Sequence, residues 1–127
     1  MKISAAGRYA VRLMVSFARG KNVVSLKEAA MEQRISIKYA EQIIRKLIKA
    51  DLLISERGQD GGYKLKKEAN KITIYEILLA TGDIQKDIKC VEQKCPNLKS
   101  CVVVDVFVTL NKKINDYLKS VTLKTLL

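Results

Sequence analysis

The sequence predicts a mainly α-helical chain: a winged helix-turn-helix with a two-stranded wing, followed by a long C-terminal dimerisation helix. Three observations carry this prediction. Two helix-start signals, at Ser25 and Ser36, fall close together after a first amphipathic segment. Two short apolar runs are separated by Glu56–Gly62, a stretch containing three glycines. Near the C-terminus, Val103, Phe107, Leu110, Ile114, Tyr117 and Val121 recur at alternating four- and three-residue spacing.

Each element follows from local chemistry. Ala6, Ala10, Leu13, Met14 and Phe17 are helically spaced, and Gly20 closes that first helix. Ser25-Leu26-Lys27-Glu28 has the pattern of a capping box and opens a second helix that runs to Gln33 or Arg34. Ser36 caps a third, whose buried stripe is Ala40, Ile43, Ile44, Leu47 and Ile48. Leu52–Ser55 and Tyr63–Leu65 read as strands, with Glu56–Gly62 as the hairpin tip between them. Thr73-Ile74-Tyr75-Glu76 opens a short helix ending near Gly82, residues 83–96 read as loop, and the long helix is expected from Asn97. Thr122 is placed to cap a final turn. These elements divide the chain into a winged helix-turn-helix unit (1–82), a cysteine-bearing segment (83–96, with Cys101 just beyond) and a dimerisation helix with its tail (97–127).

Charge separates the halves. Lysine and arginine number 24 against 13 acidic residues, for a net +11, and residues 1–75 hold 16 basic and 7 acidic side chains. A basic first half suits a polyanionic partner such as double-stranded DNA. No apolar run approaches the roughly 20 residues that span a bilayer, and Arg8 and Arg12 interrupt any signal-peptide pattern. A cytoplasmic protein without membrane contact is therefore expected. An enzyme is not: histidine is absent, no acid–base pair stands out, and the glycine-rich tip lacks the strand-to-helix setting of a phosphate loop.

The outer face of the third helix presents Lys38, Tyr39, Glu41, Gln42, Arg45, Lys46 and Lys49. Gln reads adenine, Glu accepts from cytosine, and Lys or Arg contacts guanine or phosphate. Ser36 and the helix start favour a phosphate oxygen. Arg57, set at the tip with Gly58, Gly61 and Gly62, suits a narrow minor groove.

Three stretches then carry a resemblance: Met1-Lys2-Ile3-Ser4 with Gly7-Arg8-Tyr9-Ala10-Val11-Arg12, Ile35-Ser36 with Tyr39 and Glu41-Gln42-Ile43, and Arg57-Gly58 with Gly61-Gly62-Tyr63-Lys64-Leu65. The chain resembles, over nearly its whole length, the Rrf2 family of bacterial winged-helix regulators, and is most similar to its cysteine-bearing iron–sulfur branch. The resemblance implies a homodimer on a roughly palindromic operator, acting as a repressor. It puts Ser36, Lys38, Tyr39, Glu41 and Gln42 on the recognition helix and Arg57–Gly62 on the wing.

Cys90, Cys95 and Cys101 lie between the short helix and the long one. In a reducing compartment a structural disulfide is disfavoured, and thiolates are soft ligands for iron–sulfur clusters or zinc. Polar neighbours, including Lys89, Lys94 and Lys99, argue against simple packing and favour the thiolate. The resemblance implies a cluster here, [2Fe–2S] in preference to [4Fe–4S], that aerobic preparation strips. Where cluster-binding relatives supply a fourth ligand, this chain has Val104 or Arg8, so an oxygen ligand from Asp105 or Glu41 is the expectation. A cluster-free repressor of cysteine metabolism or thiol redox state, and a zinc site, are the alternatives.

Overall fold

The computed structural model describes residues 2–127; Met1, part of the N-terminal motif, lies outside them. Among the described residues, six α-helices and one antiparallel hairpin succeed one another in the order α1 (Ala5–Arg19), α2 (Leu26–Gln33), α3 (Ile37–Lys49), β1 (Leu53–Glu56), β2 (Gly62–Leu65), α4 (Ile74–Thr81), α5 (Lys89–Glu92) and α6 (Val104–Ser120). Short 3₁₀ turns occupy Ala69–Lys71 and Leu123–Leu126.

Side chains cap α1 to α4, those at Ser25, Ser36 and Thr73 as expected and that at Ser4 in addition. The Oγ atoms of Ser4, Ser25 and Ser36 each accept the backbone N–H three residues on, at 3.0 Å. At Thr73 both halves of a capping box form, since Glu76 also accepts the Thr73 N–H at 2.9 Å. Ser25 forms only the serine half: no bond from its own N–H to Glu28 is present among the described residues, which corrects the expected box. Arg34 (φ 57°) makes the sharp turn between α2 and α3 in the left-handed region.

α1, α2, α3 and the hairpin enclose one apolar core. Leu13, Met14, Phe17, Ile44, Leu47, Leu52 and Leu53 are almost wholly buried there. The C-terminal turn returns to this core through buried Leu123, whose N–H donates to the Ile72 carbonyl at 2.8 Å. β1 and β2 pair Leu53 with Leu65 and Glu56 with Gly62. The strands sit one residue from their expected bounds, so the tip is Arg57–Gly61 and Gly62 belongs to β2. One pairing gave no sequence signal: Val24, before α2, exchanges two backbone bonds with Tyr63, at 3.0 and 2.8 Å.

The C-terminal half departs from expectation in two places. Residues 83–96 are not all loop, because α5 forms one turn within them. The long helix begins at Val104 rather than Asn97. Hydrogen-bonded turns at Leu98 and Ser100 compete with helix there, no side chain caps the helix start, and the β-branched run Val102–Val104 is a poor nucleus. Val103 therefore precedes the helix instead of lying within it. At the other end, Thr122 flanks the last turn and its carbonyl accepts the Thr125 N–H at 3.1 Å, but its side chain accepts no backbone N–H; its hydroxyl lies 3.2 Å from that of Thr125. No helix among the described residues is long and apolar enough to cross a membrane.

Asp83 ties the N-terminal helix to the end of α4. Its carboxylate accepts the Ser4 N–H at 2.7 Å and the Thr81 hydroxyl at 2.6 Å. Gly7 makes room for it, since a Cβ there would stand 2.1 Å from Asp83 Oδ2. Burial pushes the Asp83 carboxyl up, but the bonds from Thr81 and Ser4, together with nearby Lys46, outweigh burial and hold it below its ordinary value. Such a group contributes stability that is present above its unfolded pKa and lost as pH falls through the folded one. Asp83→Asn is thus expected to lose less stability than the parent chain between about pH 7 and pH 3, read by urea unfolding. Equal acid sensitivity in the two chains would exclude this role.

Candidate nucleic-acid interface and cysteine segment

The face expected to read DNA lies on α3, whose apolar stripe is buried in the core while Lys38, Gln42, Arg45, Lys46 and Lys49 stay exposed. Its first-turn N–H groups and the positive end of its dipole face outward beside Ser36. Glu41 and Arg45 pair one turn apart at 2.8 Å, so each holds the other's rotamer. Tyr39 is half-buried and packs edge-on against Tyr9 of α1, ring centroids 6.0 Å apart. The Arg12 guanidinium lies 5.1 Å over the Tyr9 ring, and its Nε donates to Gln33 Oε1 at 2.7 Å. Gln33 in turn donates to the buried Ser16 hydroxyl at 2.7 Å. This relay joins α1, the end of α2 and the start of α3, and fixes the angle at which α3 is presented.

Sequence alone does not mark Arg12, Ser16 and Gln33 as functional. The available signal is the four-residue spacing from Arg12 to Ser16 on one face of α1; their meeting with Gln33 depends on how α2 packs.

At the wing, Arg57 is exposed and forms no ion pair among the described residues. Gly58 (φ 124°) lies where only glycine is unstrained. Gly61 and Gly62 are close-approach positions: added Cβ atoms would meet Glu56 O at 2.5 Å and Val24 O at 2.2 Å. Lys64 and Glu56 form an ion pair across the strands.

Cys90 lies on α5, Cys95 comes directly after a left-handed turn at Lys94 (φ 50°), and Cys101 shortly precedes α6. All are free thiols; Cys90 is exposed and the other two are half-buried. The Cys95 N–H donates to the Cys90 carbonyl at 3.0 Å. Within this single chain no three His, Cys, Asp or Glu side chains among the described residues converge into a metal-binding group. Neither expected oxygen ligand is gathered with the thiols. Glu41 is engaged by Arg45. Asp105 is exposed on α6, whereas Cys101 lies outside that helix. Three soft donors on a short segment still fit an iron–sulfur cluster chemically, with one place left to another ligand.

The apolar seam is uncovered. Phe107, Leu110 and Tyr117 are 52%, 51% and 67% exposed, Val103 is exposed beside them, and Ile114 is half-buried.

A winged helix-turn-helix with a basic third helix and an arginine-tipped wing is the architecture of a DNA-binding transcriptional regulator. Comparison with known proteins narrows the class. Residues 3–127 match Rrf2, described as an iron-dependent transcriptional regulator, and the chain belongs to that family. It is 35% identical over 130 residues to the helix-turn-helix-type transcriptional regulator IscR of Vibrio campbellii, a match covering 100% of this chain and 77% of that protein. Among solved structures it is similar to CymR, the global cysteine regulator of B. subtilis (TM-score 0.76, 28% identity, 99% of this chain and 95% of that one). It is also similar to T. potens IscR (TM-score 0.74, 33% identity, 98% and 84%).

Proposed function

We propose that this chain is a homodimeric repressor that reads a roughly palindromic operator and senses iron or redox state through an iron–sulfur cluster on Cys90, Cys95 and Cys101. The observation carrying this reading is the position of three free thiols between the DNA-reading unit, anchored by Asp83, and the uncovered helix α6. When bound, the cluster supplies a cross-link whose lifetime depends on iron and oxidants. The protein's own part is to present two copies of α3 about one helical turn apart, at an angle set by α6. Ser36 and Lys38 meet phosphate or base at the start of α3. Tyr39 positions the helix against Tyr9, while Glu41, Gln42 and Arg45 face base edges, and Arg57 with its glycines enters the minor groove. The family's description as iron-dependent and the likeness to IscR support the reading.

The likeness to a cysteine regulator and the exposure of Cys90 among lysines favour a second reading, in which the thiols themselves respond to oxidants. Anaerobic purification with iron, zinc and sulfide analysis separates the two. It is to be coupled to binding of an operator selected from a random-sequence pool, before and after oxidation. Iron and sulfide that disappear in a Cys90→Ser/Cys95→Ser/Cys101→Ser chain, with a change in DNA affinity, are expected. Reversible disulfide formation without iron would replace the cluster reading with the thiol one, and stoichiometric zinc would replace both.

A further inference from the structure

Arg34 closes α2 in the left-handed region, at φ 57° and ψ 43°. A residue with a Cβ is strained there, and glycine is the usual occupant of this conformation at a helix end. The chain around it leaves no room to relax. The Arg34 N–H donates to the Met31 carbonyl and the Ile35 N–H to the Ala30 carbonyl, both at 3.1 Å. Gln33, just before it, is buried and bonded to Arg12 and Ser16, and Ile35, just after it, packs against the core. Between these two fixed residues Arg34 is exposed to solvent.

Its guanidinium forms no ion pair among the described residues. The helix dipole favours a cation at this end of α2, but a basic residue within the last turn would serve it without strain, and α2 has none there. A strained backbone thus carries an unpaired, exposed arginine where glycine would be unstrained. An outlier of this kind points to a use for the side chain. In a helix-turn-helix the first helix crosses the nucleic-acid backbone, and the second enters the major groove by its N-terminal residues. Arg34 is the joint between α2 and α3. It lies two residues before the Ser36 cap, a span of at most about 7 Å. That joint falls at the rim of the groove, which phosphates line, and not at its floor of base edges.

We propose that Arg34 is a phosphate clamp of the DNA-bound protein. Its planar guanidinium donates paired N–H bonds to a backbone phosphate at the groove rim and so sets how α3 enters. The proposal rests on the DNA-reading function above and adds to it a contact that lies outside both α3 and the wing. Phosphates are alike in every sequence, so the contact strengthens and orients binding without choosing bases.

Fluorescence anisotropy of the full chain tests it, on an operator selected from a random-sequence pool, at salt concentrations between about 50 and 200 mM. Arg34→Gln removes the charge and leaves a side chain of similar reach. It is expected to weaken binding about tenfold and to lower the slope of log affinity against log salt by about one per bound chain. Arg34→Gly removes the strain along with the charge. It should show the same loss of affinity and slope without a fall in Tm, so a folding defect in the first variant cannot imitate the result. Lys124→Gln removes an exposed cation from the C-terminal turn, controls for net charge, and should leave the slope as in the parent chain. An unchanged slope in both Arg34 variants overturns the proposal, as does an equal loss in Lys124→Gln. A parent chain that selects no operator would overturn the DNA-reading function and this contact together.

Discussion

Gly62→Ala is expected to destabilise the fold by about 3 kcal/mol and to detach the wing from the helical core. The added methyl would stand 2.2 Å from Val24 O, 2.6 Å from Val24 C and 2.8 Å from Ser25 Cα. All three are backbone atoms, so no side chain can swing aside to relieve the contact. Relief requires moving Val24, whose two bonds to Tyr63 at 3.0 and 2.8 Å would break. Tyr63 packs edge-on against Phe17 in the core, so the disturbance would reach α1 as well. Gly58→Ala is the informative contrast. It is strained by its φ of 124° but meets nothing within 4 Å. That strain alone is expected to cost about 1 kcal/mol. Urea unfolding of both variants gives the comparison, and a smaller loss for Gly62→Ala than for Gly58→Ala would refute the close-approach argument. Weakened DNA binding would accompany either change, so stability is the property that separates them.

That contrast also marks how much is legible in the residues alone. The glycine cluster announces a hairpin tip, because glycines between two apolar runs have few other uses. It does not distinguish a glycine required by its own backbone from one required by a neighbour, since Val24 is distant in sequence. The same boundary separates the rest. Ser25, Ser36 and Thr73 locate helix starts because capping is chemistry within four residues. The Arg12–Gln33–Ser16 relay and the Asp83 anchor bring together residues 21, 17 and 79 positions apart, and no local pattern encodes those meetings. Around the cysteines, spacing marks three thiols close in sequence but does not say whether they meet, and among the described residues they form no metal-binding group. The start of α6 is not legible, because a valine run after polar turns satisfies helical periodicity while opposing helix nucleation.

Replacing Phe107 and Leu110 together with aspartate is expected to dissociate the proposed dimer, weakening self-association at least about 1,000-fold. Both side chains lie on the outward seam of α6 and are about half exposed in the single chain, so neither holds the monomer's core together. Burying one such side chain against a partner contributes roughly 1.5–3 kcal/mol, and two buried carboxylates would add a desolvation cost to its loss. The consequence for DNA comes from linkage between half-sites. A dimer bound at one half-site presents its second recognition helix at high local concentration, an advantage of roughly 10²–10⁴ that a monomer forfeits. The double variant should therefore bind a two-half-site operator no more tightly, per subunit, than a single half-site, while the parent chain discriminates strongly between them. Sedimentation equilibrium reads the first effect and fluorescence anisotropy on the two DNAs reads the second. A double variant that remains dimeric would place the interface elsewhere, and one that unfolds outright would mean that the seam is packed within its own chain. Retained helicity with lost pairing is the combination that a dimerisation helix requires, because α6 meets its own chain through a neighbouring stripe, where Asn115 is buried and Leu118 packs beneath Tyr75 and Leu78.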